Sequence, residues 1–518
     1  MLPPLAHAAR THLLASILLC ATVPVHAQHV ISSPEAEQLA RQTMPEYLEL
    51  LSMPADAIKP DDIQRNANWL EQAFQKRGFK TQQLPNEGRP LVFAEYGKPA
   101  KGQKSILFYM HFDAQPVTPA EWKSDPWKPV LKAKDADGKW QVIPTERLLQ
   151  GRIDQEWRLF ARASADDKGP IMMFLAAIDG LRAARQAPAV HIKVILDSQE
   201  EKGSPRLHLV MQENQALLTS DGLIVYDGAM PSGNQPGVNF GNRGSIQLDL
   251  TVFGANSAPH SGTYGNVIPN PALRLATLLA SMKDGDGKVL IPGFYDGVKI
   301  SADDQRSMAE IAPPAGTLEK RFGVARLDGL AATSNPVEAV QYPSLDILGL
   351  EAARVGPRAA NAIPSQATAS LNIRTVPEIP PKQMFSLVRR YVAEQGFYLI
   401  DGEAPTAEER SRHSLLARLG LVAYPSTASA ARVSMDSPLA KWVLAGVSAP
   451  RRLEPEKVRM GGSTLPMSGA VDVLKMSYVV VPLVNADNNQ HSFDENLRLG
   501  NYLEGIRTIA AMMTTPGF

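Results

Sequence analysis

The chain has 518 residues, more than one ordinary hydrophobic core takes up, so two domains are expected. Lys plus Arg (53) balances Asp plus Glu (53), and no basic run appears, which excludes a nucleic-acid partner. With 44% hydrophobic residues, the 41 prolines mark loops and turns rather than disorder.

Arg10, the apolar run 13–23 and Val25-His26-Ala27 read as a secretory signal cut after Ala27. The run is too short to span a bilayer comfortably, although an uncleaved anchor stays open as the alternative. Cys20, the only cysteine, falls inside this segment, and Leu18-Leu19 lack the small residue of a lipoprotein site. The mature chain then has no thiol, which excludes cysteine catalysis, thiolate ligands and disulfides. It is expected in the periplasm or secreted, with no stable membrane anchor.

Helices are predicted over 34–51 and 61–77, the second closed by Gly78. Strands follow at 91–96 and 105–110. A loop-rich stretch then carries Trp122, Trp127 and Trp140, with a hairpin over 130–142 turning at Asp135-Ala136-Asp137-Gly138. A helix is expected over 170–185, with Pro170 near its first turn, and strands at 190–196 and 222–225. Strands alternating with helices give an α/β fold with a mostly parallel sheet. From Arg243 the style changes. Residues 245–253 and 367–373 alternate apolar with polar, each followed by a helix, at 270–282 and 381–395. That pattern marks a smaller α+β domain inserted in the first, with 284–360 as an elaboration. The α/β style returns at 433. A helix over 437–444 has Ser437 as N-cap and Pro438 at its first position, and a strand covers 475–481. The expected domains are 1–27 (signal), 28–242 and 433–518 (one catalytic domain) and 243–432 (insertion).

In an open parallel sheet, the loops at the carboxyl ends of strands build the active site. His111 follows the strand at 105–110, Glu200 and Glu201 follow 190–196, Asp227 follows 222–225, and His491 follows 475–481. Segments distant in sequence thus converge on one edge. His111 and Asp113, two apart on extended backbone, face the same way, so Asp113 is placed to orient a metal-binding imidazole. Of the adjacent Glu200 and Glu201, one can bind metal while the other holds a water. Each cluster has a plain alternative: a strand-end His with a solvated Asp, an acidic loop, Asp167 as a helix N-cap, Asp227 as a turn former, 488–492 as a polar loop. His191 and His208 fall in regular elements and His413 in a charged loop, leaving His111, His260 and His491 as candidates.

Taken in order, these clusters resemble the metallopeptidases of clan MH, family twenty, which include carnosinase-type dipeptidases, glutamate carboxypeptidase, aminoacylase and acetylornithine deacetylase. The resemblance spans essentially the whole mature chain. It rests on His111-Phe112-Asp113, Asp166-Asp167-Lys168-Gly169, Glu200-Glu201, Asp227 and His491. It implies that His111 and Asp227 hold one metal and Glu201 and His491 the other. Asp166 bridges both, with a cis peptide bond often following it. Asp113 supports His111, and Glu200 is the general base. It also implies a zinc-peptidase catalytic domain with a ferredoxin-like lid. His260, in Ala258-Pro259-His260-Ser261-Gly262, is the lid histidine that polarises the scissile carbonyl, in trans in dimeric members. Asn361 and Arg374 contact substrate, unless they are ordinary polar residues, and Gly462 and Ser463 lie near a substrate carboxylate. Two departures stand out: Ala161-Arg162-Ala163 replaces the usual Gly-Arg-Gly, and Pro170 replaces a glycine, as in the carnosinase-type branch.

The expectation is an exported homodimeric peptidase, dimerised through its lid, with two divalent ions, zinc first and Mn or Co as alternatives. It hydrolyses dipeptides or the C-terminal residues of small peptides through a water shared by the metals and deprotonated by Glu200. An N-acyl amino acid deacylase on the same site and a non-catalytic metal- or peptide-binding protein are the rival readings.

Overall fold

A computed structural model describes residues 28–518 except Ser232, 329–334 and 423–424. The expected signal at 1–27, with Cys20, lies outside the described residues.

Four parallel strands form the centre of an eight-stranded sheet, in the order His191–Asp197, Ser105–His111, Gly222–Val225 and Tyr478–Val480. Leu91–Tyr96 and Phe79–Leu84 extend it antiparallel on one side. Gly237–Asn239 and Glu456–Val458 extend it on the other, so the whole sheet is mixed. Both faces of the central strands are covered, which is why they read as unbroken apolar runs. Alternate residues of Ser105–His111 serve two cores. Ile106, Phe108 and Met110 join the cluster built with the helices Ser33–Leu51, Lys168–Ala183 and Leu499–Thr514. Leu107 and Tyr109 join the one built with the helix Leu207–Glu213 and the π-helical turn Gly469–Val473.

Local chemistry fixes several element ends. Ser32 and Glu35 form a capping box at the start of Ser33–Leu51. The hairpin at 130–142 turns where Asp135 Oδ1 accepts the N–H groups of Asp137 (3.0 Å) and Lys139 (2.9 Å). The helix expected from 170 begins at Lys168, which still leaves Pro170 in the first turn. No element is predicted over 499–514. That segment is a helix with 14 of its 16 residues buried, and it runs so close to Lys168–Ala183 that a Cβ on Gly505 would collide with Met173.

A five-stranded sheet holds the inserted segment. The two strands expected there are its central pair, antiparallel from Gly244↔Thr375 to Phe253↔Gln366. Leu416–Val422 and Ser344–Glu351 flank them, and the helices Pro271–Met282 and Pro381–Glu394 share their core. The stretch 284–360 is therefore only partly an elaboration, since it supplies the flanking strand Ser344–Glu351. Its helix Ala302–Glu310 also reaches back to the larger sheet, where Asp304 pairs with Arg459 at 3.2 Å. The tryptophan-bearing stretch forms a small sheet from Val130–Lys134, Trp140–Val142, Arg158–Phe160 and Asn496–Arg498.

Candidate active site

His111 ends its strand, and Asp166 lies in the turn before the helix Lys168–Ala183. Glu200 and Glu201 open a 3-10 turn just after His191–Asp197, and Asp227 lies just after Gly222–Val225. His491 sits in the loop between Tyr478–Val480 and Asn496–Arg498, with φ +62°. A non-glycine residue held in that left-handed region is uncommon and often marks a functional constraint.

Asp166 is the hinge of the constellation. Its Oδ1 lies 2.8 Å from His111 Nε2, and its Oδ2 lies 3.1 Å from His491 Nε2. Glu201 Oε2 is also 3.1 Å from His491 Nε2 and accepts a hydrogen bond from Gln115 at 2.7 Å. Potential ligand atoms therefore fall into two groups, His111–Asp166–Asp227 and Asp166–Glu201–His491, each within 4.8 Å and sharing one carboxylate. Asp113 lies behind them, fully buried. Its Oδ1 is 3.3 Å from His111 Nδ1, and its two oxygens accept the backbone N–H of Glu200 and of Glu201. The Asp166–Asp167 peptide bond is cis. Asp167 occupies the N-cap position but does not cap the helix; its carboxylate turns back to accept the backbone N–H of His111 at 3.1 Å. Ala163 has φ +62°, a conformation that favours glycine and accounts for the glycine usual at this departure from the pattern.

Charge is poorly balanced here by protein alone. Burial, reinforced by the negative charge of Asp227, pushes the Glu200 carboxyl well above its usual range. Burial, with Asp166 adding to it, pushes Asp227 up to about 7. Burial would raise Asp166 too, but hydrogen bonds from His111 and His491 hold it low. Hydrogen bonds to Asp166 and Glu201 raise His491 to about 11. Crowded carboxylates and imidazoles in two groups with a shared oxygen donor are a set that fits two divalent cations, whose charge relieves the repulsion.

Asp166, Glu200, Asp227 and His491 line a cleft of about 540 Å³, whose far wall includes Asn242, Ser463 and Thr464. Ser463 Oγ accepts from Asn242 at 2.9 Å, and Arg374 donates to the Thr464 hydroxyl. Gly462 precedes Ser463 in the same loop, its carbonyl accepting from Arg243 Nε at 3.3 Å. The structure does not bring His260 or Asn361 to this cleft. They lie side by side on the surface of the inserted segment, joined by Ser261 N–H to Asn361 O at 2.9 Å, and His260 Nδ1 accepts the Gly262 N–H.

Three residues that touch the site carry no signal in the sequence. Gln115 lies two positions beyond Asp113. Arg243 immediately precedes the lid strand Gly244–Phe253; burial and the neighbouring charge of Arg374 lower its pKa to about 10. Glu495, four residues after His491, is buried against the Asp166 turn. In each case a lone polar residue gives no pattern; only its distance from a recognised cluster could have singled it out.

The model of Peptidase family M20/M25/M40 matches residues 107–515. The human Beta-Ala-His dipeptidase is 28% identical over 445 residues, covering 83% of this chain and 79% of that protein. The Cys-Gly metallodipeptidase of Candida albicans is 26% identical over 491 residues, covering 88% and 90%. Among solved structures, an M20 family metallo-carboxypeptidase from Sulfolobus solfataricus superposes with a TM-score of 0.72 at 24% identity, covering 92% of this chain and 99% of that one.

Proposed function

The chain belongs to peptidase family M20/M25/M40, and from that membership we propose that it is a two-zinc dipeptidase acting on short peptides with a free C-terminal carboxylate. The observation that carries the reading is Asp166, whose two oxygens each face a different histidine while Glu200 shares the same cleft. The names of the relatives just described favour dipeptides over longer substrates.

His111 and Asp227 would hold one cation and Glu201 and His491 the other, with Asp166 between them. Bound divalent cations supply a water of lowered pKa and polarise the scissile carbonyl. Glu200 faces the cleft beside these ligands and takes the proton from the attacking water. It then gives that proton to the leaving amine. Asp113 fixes the Glu200 main chain by accepting its backbone N–H at 2.9 Å. Arg374, which donates to the cleft-lining Thr464, and Arg243, which donates to the carbonyl of Gly462 in the same loop, receive the substrate carboxylate through charge-assisted hydrogen bonds.

His260 and Asn361, exposed away from the cleft, serve the site of a second copy. The lid supports this, because its outer strand Ser344–Glu351 exposes Ile347, Leu348 and Leu350. Export rests on the segment 1–27 and places the mature enzyme in the periplasm or the medium.

The test is hydrolysis by the mature protein of dipeptides, tripeptides and N-acetyl amino acids, with Zn, Mn or Co and with a chelator. Chelator-sensitive release of amino acids from dipeptides is the expected result. Cleavage of the acyl substrates alone overturns the dipeptidase assignment.

A further inference from the structure

Glu495 has no part in the chemistry above, yet it is fully buried and both of its oxygens are taken. Oε1 accepts the backbone N–H groups of Ala165 (2.9 Å) and Asp166 (3.0 Å). Oε2 accepts the N–H of Ala163 and Nη1 of Arg162, both at 2.9 Å. The turn 162–166 is thus wound around a single carboxylate. Arg162 closes the loop from the other side, because its Nη2 donates to the carbonyl of Ser492, next to His491, at 2.9 Å. The two segments are also laced by backbone. Ala161 N–H donates to Glu495 O at 3.2 Å, and Phe160 pairs with Asn496 in the antiparallel ladder.

This arrangement ties together two segments that must agree in position. Asp166 reaches one histidine with each oxygen, and a shared carboxylate tolerates drift of only about 0.5 Å before one contact is lost. Glu495 grips the main chain of Asp166 and belongs to the same loop as His491. We propose that Glu495, seconded by Arg162, is a positioning residue that sets Asp166 in register with His491, so that both cation sites are complete at once. The inference rests on the two-cation reading of the site. The carboxylate is chemically required, since four donors meet two oxygens. A glutamine there would turn its own NH₂ against two of those donors.

A buried Arg162–Glu495 pair that only stabilises the fold would lower thermal stability and nothing else. The two roles separate in the zinc affinities of the folded protein. The mature wild type, Glu495→Gln, Glu495→Asp and Arg162→Lys are stripped by chelator, checked for folding by circular dichroism, and titrated with zinc against a chromophoric chelator. The kcat and KM of the reloaded proteins are then measured on a dipeptide. Glu495→Gln is expected to weaken the looser zinc, and to lower kcat, by about 10–100-fold, with KM nearly unchanged. Glu495→Asp recovers part of both losses. Arg162→Lys, which keeps the three backbone hydrogen bonds, shows a smaller loss of the same kind. Folded variants with two zincs at wild-type affinity overturn the proposal, as does zinc loss that only follows the unfolded fraction. If Glu495→Gln does not fold, the other two variants decide in the same way. A wild type that takes up two zincs but cleaves no peptide defeats the peptidase reading, while the titrations still decide the role of Glu495.

Discussion

Asp113 accepts the backbone N–H of Glu200 at 2.9 Å, so the residue that faces the His111 ring also pins the turn that carries Glu200. Its other oxygen holds the N–H of Glu201 at 3.1 Å. One buried carboxylate therefore orients an imidazole and two glutamates together. Asp113→Asn puts an amide NH₂ against these donors and is expected to lower kcat/KM by about 10–100-fold. The same substitution should lower zinc occupancy, measured by elemental analysis after dialysis. Full activity and occupancy in Asp113→Asn would show that Glu201 and His111 hold their places unaided.

On the proposed reading, Glu200 separates catalysis from metal binding. It lines the cleft and lies in neither of the two ligand groups. Glu200→Gln removes the proton acceptor while keeping the shape, so kcat is expected to fall by about 10²–10⁴-fold with two zincs still bound. Turnover and metal content measured on one preparation check this. Metal loss equal to the activity loss would place Glu200 among the ligands.

How much of this was legible in the sequence follows from where each residue sits. His111, Glu200, Glu201 and Asp227 stand just after apolar runs, because central parallel strands are buried on both faces and end at the site. The helix Leu499–Thr514 hides for the opposite reason: buried nearly all round, it has no polar stripe to give a helical period. Phe79–Leu84 is an edge strand whose interior, Lys80 to Gln83, is polar, so no apolar run announces it. Arg243 and Glu495 matter through partners far away in sequence, Gly462 and Asp166 respectively, and such contacts leave no local trace.

On the proposed reading, Arg243 and Arg374 share the task of holding the substrate carboxylate. Arg243 is partly buried beside Arg374; Asp346 offsets part of the two like charges, and a substrate carboxylate would offset more. Arg243→Ala and Arg374→Ala should each cost about 1.5–3 kcal/mol, roughly ten- to a hundredfold in kcat/KM. With a C-terminally amidated dipeptide, which lacks the charge, both substitutions should have little further effect. An equal loss on acid and amide substrates would assign the two arginines to the fold instead.

The lid edge gives an assembly prediction. Leu348 and Leu350 are each about three-fifths exposed on Ser344–Glu351, a strand at the border of its sheet. Such an edge is a template for pairing with another chain. Leu350→Lys is expected to shift sedimentation from dimer to monomer and to lower activity with it, because His260 would no longer reach a partner's site. Mixing inactive His260→Ala with inactive Glu200→Gln should restore part of the activity. No recovery in a mixture proven to exchange subunits would place His260 outside the reaction.

Arg77 links three helices and provides a pH signature independent of the metals. Its Nη2 lies 2.6 Å from Glu46 on Ser33–Leu51 and 2.8 Å from Asp179 on Lys168–Ala183, and it closes the end of Pro60–Lys76 itself. Burial works to raise the Glu46 carboxyl, but hydrogen bonds from Lys76 and Arg77 outweigh it and hold the pKa below the ordinary 4.5. A folded pKa below the unfolded one gives stability that is full above the unfolded value and is lost as pH falls through the folded one. Glu46→Gln should therefore be less stable than wild type at pH 7, and the two should converge in acid. The gap at pH 7 is expected near 1 kcal/mol, less than for a fully buried pair, since Glu46 and Asp179 both keep contact with water. Urea midpoints of the zinc-free proteins from pH 7 downwards measure it. A gap that does not close in acid would mean that Glu46 contributes through packing alone.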